Sequence, residues 1–192
     1  MLWPRAVADR IKTGHDRELV HAYPYRSACP SGVWGEQIDG ARENLFFAGY
    51  TNYFLFLDQP AFADTLRRKL DAGCRVRFLL GDPDGEVTRR REAVEGVALT
   101  VSTRIRITLE YLERLGRIPG LEARFSTADD AVHHVGLSLF RFDDNAFVTP
   151  HLARLVGHDS PLMHLRRQGP GGLFDRFAES SEELWSRATP VG

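Results

Sequence analysis

The chain has 192 residues, 43% of them hydrophobic and 27% charged, which is typical of one globular domain with a sizeable core. Its formal net charge of −1 gives no overall electrostatic reason to expect a protein that binds nucleic acid or an anionic membrane. Two cysteines exclude a zinc site built from thiols alone, and no histidine spacing indicates a metal, so we expect no cofactor. No apolar signal-peptide core and no run of roughly 18 apolar residues is present, so we expect a cytoplasmic protein without a membrane span.

The first half of the chain predicts a strand–helix–strand unit. Residues 1–32 are expected to be an extended lead-in or linker, because two prolines interrupt their second half, and the domain is expected to span 33–192. The predicted elements are a helix over 33–43, a strand over 44–50, a helix over 58–74 and a strand with its turn over 75–85. The helix over 58–74 has the clearest pattern, with Phe62, Leu66 and Leu70 in one apolar stripe and Asp58 as its expected N-cap.

The second half predicts more strands than helices. The expected elements are a helix over 99–115, a strand over 121–127, a polar loop over 128–135, two strands that pair around Asp144 and Asn145, a strand over 161–167 and a closing amphipathic helix. The basic stretches 67–77 and 87–92 are interpreted as solvated helix faces beside a core strand. Together the elements predict an α/β fold with a mixed central sheet flanked by helices.

Candidate site residues lie near predicted strand ends, where ligands collect in open α/β sheets. They are Arg77, Asp82, Asp84, Arg124, Ser138, Arg141, Asp143 and His164. Two interpretations of these residues stay open. The aspartates of GDPDG (81–85) can form a simple Asx turn, and Arg124 and Arg141 can pair with Asp82, Asp84 or Asp143. Alternatively, the arginines bind a ligand that carries a phosphate.

Several stretches together resemble a known group of proteins. They are LWP (2–4), YPYRSA (23–28), GCRVRFLLGDPDG (73–85), RRRE (89–92), LEARF (121–125), SLFRFDDNAFV (138–148), SPLMHLRR (160–167) and LFDRFAESSEELWSRA (173–188). The chain resembles a single lobe of the phospholipase D superfamily, and more closely the C-terminal domain of actinobacterial helix-turn-helix (XRE-type) transcriptional regulators. The resemblance implies a phospholipase D-like lobe, a homodimer, and DNA contact only through a separate helix-turn-helix domain not in this chain.

The catalytic motif of that superfamily is largely missing from this chain. The motif is His-x-Lys, four residues, Asp, six residues and Gly-Ser, in which the histidine attacks phosphorus and the lysine binds phosphate oxygens. With Asp143 as the aspartate, the histidine position falls on Gly136, the lysine on Ser138, and the Gly-Ser pair on Pro150 and His151. An alignment on His134 places Arg141 at the aspartate and is no better. Without an imidazole at the first position, a covalent phosphohistidine cannot form there.

Three functional hypotheses follow. The first is a non-catalytic domain of a transcriptional regulator that senses a small polar or phosphorylated ligand, dimerises, or does both. The second is a phosphodiesterase or nucleotide hydrolase that uses a rearranged histidine set from His134, His151 and His164, with one histidine in reach of an open pocket and oriented by an acid. The third is a purely structural dimer module, in which Arg141 and Asp143 pair with protein groups only.

Overall fold

One eight-stranded mixed sheet forms the middle of the computed structural model, which describes residues 17–96, 100–126, 134–152 and 155–192. Its strands are β1 (Leu19–Tyr23), β2 (Asn44–Ala48), β3 (Arg75–Gly81), β4 (Leu121–Ser126), β5 (Leu137–Phe142), β6 (Asn145–Pro150), β7 (Leu162–Arg166) and β8 (Thr189–Pro190). The helices are α1 (Ser31–Gly40), α2 (Tyr53–Asp58), α3 (Phe62–Asp71), α4 (Glu86–Glu95), α5 (Thr100–Leu115) and α6 (Leu173–Arg187). Short 3-10 turns lie at Arg26–Ala28 and His134–Gly136.

The strand order in the sheet is β1-β7-β6-β5-β2-β3-β4-β8. The centre, β2-β3-β4, is parallel, because α2 and α3 connect β2 to β3, and α4 and α5 connect β3 to β4. All other pairs are antiparallel, and β5 and β6 form a hairpin. The predicted mixed sheet flanked by helices is confirmed.

Both faces of the central strands are buried, so these strands are apolar nearly throughout. On one face, Phe47, Phe78 and Phe140 pack in the larger core with Trp34 of α1 and Leu66 of α3. The other face packs beneath α6 in a second cluster of side chains: Phe46, Ala48, Leu79, Leu139, Ala146, Val148, Leu165, Phe174, Leu184, Trp185 and Ala188. Alternate residues of one strand therefore pack in two different layers, one on each face of the sheet.

The predicted helix over 58–74 is wrong in its first turn. The structure has two helices here: α2 ends at Asp58, and α3 begins at Phe62 after the break at Gln59 and Pro60. Asp58 is the last residue of α2 and not the cap of α3, whose N-cap position is Ala61. Pro60 has no N–H to donate and stops α2 from continuing.

Other elements differ from the sequence expectation. Residues 87–92 lie inside α4, which was not predicted as a separate helix. Part of the expected lead-in forms β1 and pairs with β7, His21 opposite His164. The β5–β6 turn is formed by Asp143 and Asp144, one residue before the expected position, and Asp143 has a φ of 50°. Most of the predicted loop over 128–135 lies outside the described residues.

No helix within the described ranges is long and apolar enough to cross a membrane.

Candidate functional site

A small pocket lies at the sheet edge where β2 and β6 end and β5 begins. Its volume is about 80 Å³, several times the roughly 10–15 Å³ that one water molecule needs. The lining residues are Arg26, Gly49, Tyr50, Thr51, Arg91, Glu95, Val101, Arg104, Val135, Ser138, His151, Val156, Gly157 and His158. The pocket therefore contains Ser138 and His151, the positions where the superfamily motif has its lysine and the serine of Gly-Ser.

Ser138 and His151 form a hydrogen-bonded pair inside this pocket. The Ser138 hydroxyl and His151 Nε2 are 3.0 Å apart, and His151 Nδ1 is 2.7 Å from the carbonyl oxygen of Val135. Because a carbonyl can only accept, Nδ1 carries the proton, and Nε2 of the neutral ring accepts from Ser138. Burial lowers the pKa of His151; the Val135 carbonyl opposes this shift, whereas the positive charges of Arg91 and Arg26 add to it.

Three arginines from three different elements place their positive charge in the lining of the pocket. Arg91 of α4 donates to Glu95 at 2.9 Å and to the carbonyl of Leu155 at 2.8 Å, whereas Arg104 of α5 lies 4.0 Å from Glu95. The third cation is Arg26 of the first 3-10 turn. Three guanidinium groups against one carboxylate give the lining a formal charge of +2 when its histidines are neutral.

Arg26 differs from the other two arginines in its partners. Its guanidinium lies over the ring of Phe54, 3.8 Å from the centroid. Its side chain makes no hydrogen bond or ion pair with the residues that the structure describes. Burial lowers the pKa of Arg26 to about 10, although the charge of Asp58 raises it and that of Arg104 lowers it further. A positive group in this setting has donors available for an anion.

Seven of the eight candidate site residues lie away from this pocket. Arg77 and Arg141 both bind Glu182 of α6, Arg77 through two bonds of 2.7 Å and Arg141 through one of 2.8 Å. Arg124 lies 3.7 Å from Glu122 and donates to the carbonyl of Trp185. The predicted pairing of Arg124 and Arg141 with Asp82, Asp84 or Asp143 is therefore wrong. Arg124 pairs with Glu122, and Arg141 pairs with Glu182.

The aspartates of the group also have protein partners. Asp82 accepts from the backbone N–H of Asp84 at 2.9 Å, as in an Asx turn, and Asp84 pairs with Arg106 at 2.6 Å. The carboxylate of Asp143 accepts hydrogen bonds of 2.7–3.1 Å from three successive backbone N–H groups, those of Arg42, Glu43 and Asn44, the last of which is the first residue of β2. This ties the β5–β6 turn to the start of β2.

His164 lies on β7, between the ring of Phe147 and the side chain of Asn145, whose Oδ1 is 3.2 Å from Nε2. Burial lowers its pKa, and the charge of Arg166 adds to this shift. Of the candidate set, only Ser138 lies in the pocket; ligand binding by the other seven residues stays a prediction. The side chain of His134 lies outside the described residues.

The pocket cations were missed by sequence reasoning. Arg91 and Arg26 belong to the motifs RRRE and YPYRSA that carry the resemblance, but nothing local indicates that they meet. His151 was named in the motif alignment and in the rearranged histidine set of the hydrolase hypothesis, but not among the candidate ligand-binding residues. Among the described side chains, no group of three His, Cys, Asp or Glu residues is arranged to hold a metal ion.

Comparisons with known proteins give the fold a name. No protein-family model matches the chain, and no curated protein matches it. Solved structures do: TrmBL2, an archaeal chromatin protein that binds DNA, is 16% identical with a TM-score of 0.52 over 97% of this chain and 59% of its own. NucT from Helicobacter pylori is 10% identical, with a TM-score of 0.52 over 89% of this chain and 96% of its own. Phosphatidylserine synthase from Haemophilus influenzae is 16% identical, with a TM-score of 0.51 over 83% of this chain and 36% of its own.

These similarities show the phospholipase D-like fold expected from the sequence. At identities of 10–16% they show the fold alone. The chain spans 59% of the TrmBL2 chain, so that protein contains a part with no counterpart here.

Proposed function

We propose that this chain is a phospholipase D-like domain that binds a small phosphate- or sulfate-bearing ligand without the superfamily's histidine chemistry. The supporting observation is the cationic pocket around Ser138 and His151. It occupies the motif position, yet Gly136 and Ser138 stand where the nucleophile and the lysine would be. The charge that attracts an anion is instead carried by Arg26, Arg91 and Arg104.

Physical chemistry favours an anion in this pocket. Guanidinium groups form short, charge-assisted hydrogen bonds with phosphate oxygens, roughly twice as strong as neutral ones. A partly buried cluster of like charges is unfavourable without a counter-ion, and Glu95 alone cannot neutralise three arginines. An anion that bridges Arg26 and Arg104 would offset the two effects that lower the pKa of Arg26, which are its burial and then the positive charge of Arg104.

We further propose that the domain is the ligand-sensing and dimerising part of a transcriptional regulator. The fold similarity to TrmBL2, a DNA-binding chromatin protein, supports a role beside DNA, with the DNA contact made by a separate domain. Ligand binding would regulate the protein only if two arrangements of a homodimer differ in their affinity for the ligand.

A thermal-shift experiment tests the anion site. Phosphate and sulfate are titrated against chloride at matched ionic strength, with wild type, Arg104→Gln and Arg106→Gln. Saturation to 100 times Kd should stabilise wild type by about 2.7 kcal/mol, or roughly 5–10 °C for a domain of this size. Arg104→Gln should lose most of this shift, whereas Arg106→Gln, two residues along α5 and paired with Asp84, should keep it. An equal response to all three anions would refute the proposal.

A second candidate function rests on the Ser138–His151 pair. A hydroxyl that donates to a neutral imidazole, whose other nitrogen is fixed by a third group, is the arrangement of an activated nucleophile. Here the third group is the Val135 carbonyl and not an acid. Ser138 Oγ would attack phosphorus, His151 would pass the proton to the leaving alcohol, and water would then hydrolyse the phosphoserine. Turnover of bis(4-nitrophenyl) phosphate that disappears in both Ser138→Ala and His151→Gln would favour this function over the first.

A further inference from the structure

A second and larger cavity adjoins the anion pocket. Its volume is about 450 Å³, within the range of small-molecule sites, whereas the pocket itself has about 80 Å³. The cavity is lined by Arg26, Ser27, Cys29, Ser31, Trp34, Phe54, Leu55, Asp58, Gln59 and His158. Arg26 and His158 line both cavities, so the two share a wall made of these side chains.

Arg26 is placed to contact a molecule in both cavities. Its backbone is fixed by a 2.7 Å hydrogen bond from its N–H to the carbonyl of Ser160, and its guanidinium stacks on Phe54. The stacking uses the face of the guanidinium plane and leaves its in-plane N–H donors available. No described residue accepts from these donors. A ligand that occupies both cavities could accept hydrogen bonds from these guanidinium N–H groups in each of them.

The larger cavity offers acceptors and an aromatic surface. The carboxylate of Asp58, at the end of α2, has no hydrogen-bond or ion-pair partner among the described residues. Gln59 donates its Nε2 to the carbonyl of Ser31 at 2.9 Å, which fixes the side chain and leaves its Oε1 as an acceptor. The ring of Phe54 forms part of the wall. Acceptors of this kind bind the hydroxyl groups of a ligand.

We infer that the ligand is a phosphomonoester with a hydroxyl-bearing body: its phosphate occupies the anion pocket, and its body lies in the larger cavity against Phe54 and donates to Asp58. Arg26 binds the phosphate at the junction. This inference rests on the proposed function, because it uses the same anion pocket for the phosphate group.

Isothermal titration calorimetry tests the inference with three probes: inorganic phosphate, methyl phosphate and ribose 5-phosphate. Wild type should bind ribose 5-phosphate at least 10-fold more tightly than the two probes that lack a hydroxyl-bearing body. Asp58→Ala should abolish this preference without weakening inorganic phosphate. Arg26→Gln should weaken all three probes. The control is Asp64→Ala on α3, an exposed residue outside both cavities, which should bind all three as wild type does.

The outcomes separate the two claims. Equal affinities for phosphate and ribose 5-phosphate, or a preference that survives in Asp58→Ala, overturn the inference and leave the anion site intact. Absence of binding by every probe overturns both claims. Circular dichroism of each variant establishes that a lost preference does not arise from misfolding, and Asp58→Asn provides a second variant with the same shape.

Discussion

Replacing Glu182 should destabilise the domain more than replacing any exposed acid on the same helix. Glu182 of α6 accepts two hydrogen bonds of 2.7 Å from Arg77 and one of 2.8 Å from Arg141. Arg77 is only 4% exposed and lies on β3 beneath α6, so its charge has little access to water. The hydrogen bond from Arg77, together with the charges of both arginines, lowers the pKa of Glu182 to about 2, although its partial burial opposes this shift.

The magnitude follows from which partner is buried. Removing one member of a buried ion pair costs about 3–5 kcal/mol, because the remaining charge is left without compensation. The side chain of Glu182 is 45% exposed, so water screens part of this energy and the upper end of that range does not apply. We expect a loss of about 2 kcal/mol for Glu182→Gln, which keeps one acceptor oxygen, and about 3 kcal/mol for Glu182→Ala.

Urea denaturation at pH 7 measures both losses. The matched control is Glu183→Gln, which removes an exposed pair with Arg187 on the same helix and should cost less than about 0.5 kcal/mol. Because the folded pKa of Glu182 lies below its unfolded value, its contribution is complete above about pH 4.3 and is lost as the pH falls towards 2, so the difference between wild type and Glu182→Gln should shrink there. Sulfate should stabilise Glu182→Ala more than wild type, since it can replace the missing carboxylate. Equal stability of Glu182→Gln and Glu183→Gln would refute the reasoning.

Three further predictions concern the turn, the histidines and the wall of the pocket. Asp143→Ala should lower the free energy of unfolding by about 2–3 kcal/mol, measured by urea denaturation, because it removes the acceptors of three backbone N–H groups. The neighbouring substitution Asp144→Ala should lower it by less than about 0.5 kcal/mol. Similar losses in the two variants would contradict this role of Asp143. The free energy of unfolding should decrease as the pH falls below about 6.5, by up to about 1.4 kcal/mol per pH unit for each histidine, because burial holds the pKa of both His151 and His164 below the unfolded value and the unfolded state binds the extra protons. The charged groups near His151 are Arg91, Arg26 and Glu95, and those near His164 are Arg166 and His21. His151→Gln should reduce the slope of the unfolding free energy against pH, and an unchanged slope would exclude a contribution from His151. Gly81→Ala should lower the melting temperature by several degrees, since its Cβ would lie 2.3 Å from the buried ring of Tyr50, whereas Gly40→Ala, with open space around it, should not; a melting temperature equal to that of Gly40→Ala would contradict the contact.

Elements with an apolar pattern could be predicted from the sequence, and those with a polar buried face could not. β3 and α6 could be recognised because most of their buried residues are apolar, although Arg77 of β3 and Ser181 of α6 are buried as well. The buried residues of α4 are Thr88 and Glu92, whose partners are Tyr50 and Ser102. A helix that packs through hydroxyl and carboxylate groups has no apolar stripe, so its basic residues dominated the interpretation.

The partners of several candidate site residues were also beyond sequence-based prediction, because they lie far apart in the sequence. The candidate residues were expected to lie near the strand ends, with their arginines paired with the nearby aspartates or bound to a phosphate. Arg77 and Arg141 instead point to the face beneath α6, where the acid is supplied by Glu182, 105 residues after Arg77. A partner at that separation leaves no local pattern. Ser138 was found because the motif alignment fixes its position without reference to any partner.

The pocket differs from the superfamily motif in the elements that supply its polar and charged groups. In the motif, the nucleophile and the phosphate-binding lysine are two residues apart. Here β5 supplies Ser138, which is 3% exposed and bonded to His151, while the charge comes from the first 3-10 turn, α4 and α5. A lysine at Ser138 would add a fourth positive group where Glu95 is the one carboxylate in the lining, so the three arginines and that lysine disfavour each other. Under the proposed function, arginines from outside the sheet would supply the positive charge that the lysine supplies in the motif, so the absence of the motif's histidine does not by itself exclude an anion site.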